Sequence, residues 1–308
     1  MFLAKFSNQH DWLQVKTLNN NAQPLVTIYM PTHNRRDLLE RAVNSAFAQT
    51  MQNFELIIVD DASEDDTFAY LQALAKRESR VTILRNDVPQ GACVARNRAI
   101  NQAKGKFVTG LDDDDEFLPH RLETLLCGYD NKYAFVSQGC VWQYGKHTKK
   151  IYTKAREICL AEQLNQNYAT NQVLVETKRM LAIGGFDESF KACQDYDTWT
   201  RLIITYGAAK CLGGASYIVH QGHEGPRITA KENHALGYQQ FYDKHQHLMS
   251  QKNKMNQRWL SLVALRQKPS VSEFFEQLKY GFWLMKTRYY LSVLFAPIAE
   301  VRRKWLKG

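Results

Sequence analysis

Over the first 130 positions, short unbroken apolar runs alternate with amphipathic stretches. The runs at 25–30, 54–59, 81–84 and 106–110 are rich in Val, Ile, Leu and Phe and too short for buried helices, which predicts strands. Residues 37–49 place Leu38, Leu39, Ala42, Val43, Ala46 and Phe47 at helical spacing, and 65–76 and 91–104 read as two further helices. Four strands of continuous rather than alternating hydrophobicity, interleaved with helices, predict a mostly parallel sheet covered on both faces. Beyond residue 130 the pattern loosens. Residues 133–144 read as strand, 145–170 as a polar, loop-rich segment, 195–206 as helix and 217–219 as a last short strand. A glycine- and histidine-rich loop, 220–229, precedes a wholly helical end. The expected organisation is a polar arm at 1–23, an α/β domain at 24–230 and a helical extension at 231–308.

In a parallel sheet, ligands collect beyond the carboxyl ends of the strands. Thr32-His33-Asn34, Asp60-Asp61 and Asp112-Asp113-Asp114-Asp115 all follow predicted strands, roughly one strand–helix repeat apart, so they are expected to meet in one crevice. Adjacent carboxylates raise one another's pKa, and hard oxygen ligands on a tight turn suit Mg²⁺ or Mn²⁺ when substrate phosphates complete the shell. The acidic run alone also reads as a solvated turn before a helix near Pro119, where Asp and Glu favour the helix start. No Gly-x-Gly-x-x-Gly follows the first strand and no Gly-x-x-x-x-Gly-Lys-Ser/Thr occurs, so neither a dinucleotide fold nor a P-loop is supported.

A chain of 308 residues, 44% of them hydrophobic, is enough for one large α/β body with an appendage. Its six cysteines form no Cys-x-x-Cys pair, which argues against zinc and a disulfide framework and suits a reducing compartment. The opening residues lack the basic start and long apolar core of a signal peptide, so a cytoplasmic location is expected. Charge is uneven. Residues 251–308 hold twelve Lys/Arg against three Glu, which accounts for the whole net charge of +9, while residues 1–250 balance. Those cations are interleaved with Phe274, Phe275, Phe282, Trp283, Tyr289, Tyr290, Phe295 and Trp305. The longest charge-free stretch there, 289–299, is shorter than the ~20 residues that span a bilayer. Residues 251–308 therefore read as a peripheral contact with an anionic membrane, at the inner face of the plasma membrane, or as helices packed on the main body with solvated cations. Nucleic acid is not the expected partner.

Several of these segments resemble the motifs of family 2 glycosyltransferases of the GT-A fold. Val26-Thr27-Ile28-Tyr29-Met30-Pro31-Thr32-His33-Asn34-Arg35 is similar to that family's opening strand, and Ile57-Ile58-Val59-Asp60-Asp61-Ala62-Ser63 with Asp65-Asp66-Thr67 to its second. Gly91 with Ala95-Arg96-Asn97 resembles its arginine segment, and Leu111-Asp112-Asp113-Asp114-Asp115 its Asp-x-Asp motif. Gly184-Gly185-Phe186-Asp187-Glu188, then Gln194-Asp195-Tyr196-Asp197 with Trp199 and Arg201, resembles its acceptor-side segment. The match runs over about residues 24–230, in order.

The resemblance implies a nucleotide-sugar donor, usually a UDP-sugar, and an inverting transfer to a hydroxyl of a glycan or lipid-linked acceptor. Cell-surface polysaccharide or lipopolysaccharide synthesis would fit such an acceptor. It gives Asp114 to Mn²⁺ or Mg²⁺, with Asp112 and Asp113 near the metal shell and donor ribose. Asp61 would contact the base within a pocket walled by Pro31, Thr32, His33 and Asn34, and Arg96 would approach the base or diphosphate. Asp195 would be the general base and Asp197 structural. His220 or His223 would reach the metal or diphosphate, or be an ordinary loop histidine, and Arg227 could meet phosphate. Two departures stand out: His33 where many relatives carry Tyr, and Gln194 where many carry Glu. A sugar nucleotidyltransferase would need a glycine-rich loop after the first strand, which Pro31-Thr32-His33-Asn34-Arg35-Arg36-Asp37 lacks. A non-catalytic sugar-binding module would keep the donor pocket without a working base.

Overall fold

The computed structural model describes residues 23–221 and 231–295. Residues 1–22 of the expected arm at 1–23, the segment 222–230 with His223 and Arg227, and the end at 296–308 lie outside the described residues. The first half folds as β1 (Val26–Thr32), α1 (Arg36–Phe47), β2 (Phe54–Asp60), α2 (Thr67–Arg77), β3 (Val81–Arg85), α3 (Ala92–Asn101) and β4 (Phe107–Gly110). β1 pairs in parallel with β2 and β4, β2 pairs in parallel with β3, and the short β9 (Val175–Glu176) closes the β4 edge antiparallel. The expected mostly parallel α/β sheet is present.

The unbroken hydrophobicity of β1 and β2 has a direct cause. Alternate side chains serve different cores: Val26, Ile28, Met30, Leu56 and Ile58 pack with Leu39, Val43 and Leu71 on one face. Tyr29, Ile57 and Val59 pack with Ala95, Ala99 and Trp199 on the other. A strand buried on both sides cannot alternate apolar with polar.

A second sheet completes the body, in the order β5 (Glu116–Phe117), β10 (Ala209–Gln221), β6 (Val136–Tyr144), β7 (His147–Ile151), with β8 (Arg156–Ile158) also paired to β10. Two expectations are corrected here. The polar segment 145–170 holds β7, β8 and the short helix α5 (Leu160–Gln163). β7 escapes a hydrophobicity reading because it is an edge strand exposed along almost its whole length. The last strand runs for 13 residues rather than three. Its pattern is broken at Gly213-Gly214, where the register with β6 slips and Gly214 takes φ +84°, a region open to glycine.

The remaining helices are α4 (Arg121–Gly128), α6 (Thr177–Ala182), α7 (Gln194–Tyr206), α8 (Lys231–His245), α9 (Gln251–Leu265), α10 (Val271–Leu278) and α11 (Trp283–Leu294), so the described part of the extension is helical as expected. It is not a loose appendage. Phe241 of α8 stacks on Tyr196 of α7 with ring centres 3.7 Å apart, and Gln257 of α9 donates to the Tyr196 hydroxyl at 2.7 Å. Buried Asp197 gathers Arg201 at 2.7 Å, Lys244 at 2.9 Å and His245 at 2.8 Å. No helix of the described residues is long and apolar enough to cross a membrane.

Candidate active site

Three neighbouring parallel strands deliver the candidate residues to one edge of the sheet. Thr32 at the end of β1 is in register with Asp60 at the end of β2, and Leu111, just past β4, donates to the Tyr29 carbonyl at 3.1 Å. The first two loops are stapled together. Asn34 takes a left-handed φ of +52°, which asparagine tolerates; its amide donates to Ser63 Oγ at 2.9 Å and its side-chain oxygen accepts from Glu64 N at 2.8 Å. His33 Nδ1 lies 2.7 Å from the Asp61 carbonyl, so Pro31, Thr32, His33 and Asn34 line the junction with the second loop.

The two aspartates of that loop have different surroundings. Asp61 already accepts from Asn86 Nδ2 at 2.6 Å, Gln90 N at 2.9 Å and Gly91 N at 2.7 Å, which ties β2 to the start of α3. Asp60 accepts from Ser63 N through Oδ1, whereas its buried Oδ2 accepts no hydrogen bond and has only Arg85 Nε, at 3.4 Å. The acceptor left over for a ligand donor therefore belongs to Asp60 more than to Asp61.

Arg96, on α3 and largely buried, forks between two motifs. Nη1 donates to Gln194 Oε1 at 2.6 Å and Nη2 to Asp112 Oδ1 at 3.0 Å. Asp112 also accepts from Gln172 Nε2 at 3.1 Å and from the Tyr217 hydroxyl at 3.3 Å, and Gln172 in turn accepts from Tyr29. A Cβ on Gly110 would stand 2.1 Å from Gln172 Oε1, so glycine is what lets this amide approach. Behind them Arg121 is fully buried, donating to Ser216 Oγ at 3.1 Å and Gln172 O at 2.9 Å beneath the Phe117 and Tyr217 rings; burial pulls its pKa down to about 10.

The rest of the acidic run crowds carboxylates together, with Arg41 donating to the Asp114 carbonyl and lying 3.5 Å from Glu116. Burial, reinforced by Asp114, pushes Asp113 up to about 7 against the pull of Thr32 and Arg35. Burial beside Asp114 and Asp112 also drives Asp115 well above the carboxylate range, although its Oδ1 accepts from His220 N at 3.0 Å. His220 Nε2 lies 2.6 Å from Glu116 Oε1, and burial lowers the ring's pKa. An imidazole whose one ring nitrogen is held by a carboxylate is a common arrangement in ligating histidines. Crowded carboxylates that raise one another's pKa, with such a histidine alongside, fit a divalent cation. Among the described residues no three His, Cys, Asp or Glu side chains form a ready-made cage. Mg²⁺ in phosphate-transfer sites is commonly held by one or two carboxylates plus substrate oxygens.

Asp195 stands in the first turn of α7, which starts after Cys193 in a left-handed conformation (φ +58°). Its Oδ2 accepts from Asn167 Nδ2 at 2.8 Å. Burial lifts its pKa from 3.8 to about 6, against the pull of the Tyr196 amide and of Arg96. That places a carboxylate near the pH at which general bases work best. Gln194 is held at both ends, by Arg96 and by donating to Phe190 O at 3.0 Å, an arrangement that needs an amide rather than a carboxylate. The crevice thus joins Thr32 to Asn34, Asp60, Arg96, Asp112 to Asp115, Asp195 and His220. Sequence reading missed Asn167 and Gln172, which come from a loop-rich segment, and Tyr217 and Arg121, which belong to regular elements but carry no motif.

Comparison with known proteins agrees with this geometry. The model of glycosyl transferase family 2 matches residues 27–187. The chain is 34% identical over 270 residues to the putative colanic acid biosynthesis glycosyl transferase WcaA of Escherichia coli K12, covering 82% of this chain and 91% of that protein. It is 34% identical over 220 residues to the GalNAc(5)-diNAcBac-PP-undecaprenol beta-1,3-glucosyltransferase of Campylobacter jejuni, covering 70% and 68%. Among solved structures, the mannosyltransferase PcManGT of Pyrobaculum calidifontis, in complex with GDP-Man and Mn²⁺, superposes with a TM-score of 0.58 at 17% identity, covering 94% of this chain and 89% of that one. The last likeness speaks for the GT-A fold alone. The family match and the first relative together establish that this chain is a glycosyltransferase and belongs to glycosyl transferase family 2.

Proposed function

We propose that the chain moves a sugar, with inversion, from a UDP-sugar to a hydroxyl of a lipid-linked glycan, with Asp195 as the general base. The observation that carries this reading is the Arg96 fork, which ties Asp112 on the donor side to Gln194, the neighbour of Asp195. A base and a leaving-group site held by one rigid cation suit an in-line displacement, in which attacking hydroxyl and departing diphosphate lie on opposite sides of the anomeric carbon. Asp195 would take the hydroxyl proton as the oxygen attacks. Asn167 holds one of its oxygens and so orients the carboxylate.

Asp114, with Asp112, Asp113 and His220, would hold Mn²⁺ or Mg²⁺, which supplies positive charge to the departing diphosphate. Arg96 is a fixed cation at the same end of the cleft, and Asp60 Oδ2 offers a buried acceptor to a base N–H. The role expected of Asp61 becomes that of a positioning residue, through its three bonds to the Asn86–Gly91 turn. Support for a lipid-linked acceptor comes from the named acceptor of the Campylobacter relative. For a peripheral membrane position, support comes from α10, α11 and the residue that follows α11, where Phe275, Trp283, Leu284 and Phe295 are more than half exposed among the basic residues of 251–308.

The test is donor hydrolysis with UDP-, GDP- and dTDP-sugars, with Mn²⁺ and with EDTA. Release from UDP-sugars that EDTA abolishes is expected. Undiminished release in EDTA would remove the metal role of Asp114, and release from a GDP-sugar only would replace the base.

A further inference from the structure

The β6–β7 hairpin is markedly basic. Residues 131–156 contain no Asp or Glu; Lys132 pairs with Asp130 and Arg156 stacks on Tyr168, while Lys146, Lys149, Lys150 and Lys154 lie on the hairpin or just after it. Every residue from Gly145 to Lys150 is exposed. The antiparallel register sets Trp142 opposite Lys149 and Tyr144 opposite His147, which puts these four side chains on one face of the ribbon. There Lys149 Nζ lies 5.9 Å from the centre of the Trp142 ring, and the Trp142 and Tyr144 rings meet edge to face at 6.3 Å. β6 also runs beside β10, with Gln143 level with His220 and Tyr144 level with Gln221. The ribbon therefore leaves the body one strand away from the His220–Glu116 pair, at the acidic end of the cleft. Lysine on an edge strand guards against strand pairing. Any charge would do that, and it calls neither for the exclusion of carboxylates nor for a ring pair on the same face.

We propose that this hairpin binds the sugar-diphosphate part of the acceptor, with Lys146 and Lys149 meeting the diphosphate and Trp142 and Tyr144 the sugar ring. The inference rests on the lipid-linked acceptor proposed above. Lysine is a compact cation suited to phosphate oxygens, and an aromatic pair offers a flat apolar surface to the C–H face of a pyranose.

The full-length chain and its Lys146→Glu/Lys149→Glu variant are to be sedimented with two kinds of phosphatidylcholine vesicle. One kind contains a polyprenyl diphosphate; the other contains phosphatidylglycerol at equal surface charge. The parent is expected to prefer the diphosphate vesicles, and the variant to lose about tenfold or more on them while staying within about twofold on phosphatidylglycerol. Equal binding of parent and variant to diphosphate vesicles would remove the hairpin from the acceptor site and leave the lipid-linked reading standing. Equal losses on both vesicles would mean general headgroup attraction and overturn the proposal. A parent that does not distinguish the vesicles would take down the lipid-linked reading, and the hairpin's role with it.

Discussion

Arg96 Nη1 and Gln194 Oε1 are 2.6 Å apart, although the two residues lie 98 positions from each other in the chain. This bond, with its twin from Nη2 to Asp112, fixes the start of α7 against the end of β4. Gln194 can accept from Arg96 while donating to the Phe190 carbonyl only because its head group is an amide.

Gln194→Glu is therefore not a neutral exchange. A carboxylate there would face the Phe190 carbonyl, draw Arg96 towards itself and add a negative neighbour to Asp195. Each of the last two effects favours the protonated form of Asp195. The acid limb of the pH profile of kcat/KM should move to higher pH relative to the parent. An unmoved limb would show that Asp195 is not the group that titrates.

Asp195→Asn separates catalysis from stability. Removing the proposed general base should lower kcat by about 10²–10⁴ while donor affinity, read by titration of the nucleotide, is kept. Stability should move the other way. The folded pKa of about 6 lies above the unfolded value of 3.8, so folding favours the protonated acid and the ionised group is a liability above about pH 6. The liability fades as pH falls through that window and is absent below 3.8. Since Asp195 is only half-buried, about 1–2 kcal/mol of gain for the asparagine at pH 7 is a fair expectation after allowing for solvent screening. Denaturant curves at pH 7 and pH 4 check this, most of the difference being gone at the lower pH.

Gly110→Ala tests the support behind Asp112. The new Cβ would overlap Gln172 Oε1 and also stand 2.5 Å from Tyr29 Cε2, forcing Gln172 off Asp112. A loss of about 1–3 kcal/mol in stability is expected from the overpacking. The donor KM should rise as Asp112 loses a partner. Adding Gln172→Ala should recover part of the stability and none of the KM, and full recovery of both would show that the Gln172–Asp112 bond does not matter.

How much of this was legible in the sequence follows from how each element is stabilised. The parallel core announced itself because strands buried on both faces must be apolar throughout, as Phe54–Asp60 is. The strand-end aspartates were legible because their position follows from the strands. β7 was not, since an edge strand needs no apolar face, and β10 was hidden by its bulge at Gly214. Within the site, Asp60 and Asp61 are indistinguishable as letters. Their surroundings separate only when Asn86, Gln90 and Gly91 fold back onto one of them. Arg121 gave no signal because a buried guanidinium without a carboxylate partner is recognised by its surroundings and not by its neighbours in the chain.

Asp197, two residues beyond the proposed base, joins the extension to α7. Burial alone would raise its pKa, but hydrogen bonds from His245, Arg201 and Lys244 outweigh that and hold it below 3.8. The sign is opposite to that of Asp195: the ionised carboxylate adds stability above 3.8, and that stability is lost as pH falls through the lower, folded value. Asp197→Asn should cost about 2–4 kcal/mol at pH 7, because it leaves buried His245 and two cations without their shared anion. The parent should lose the same stability progressively on acidification below pH 4, and the variant should not. Hydrogen exchange should show α8 opening before the strands do, since Lys244 and His245 are its last-turn anchors on α7. Uniform exchange across α8 and the sheet would mean that the extension unfolds only with the whole molecule, and that Asp197 adds stability without controlling how α8 detaches.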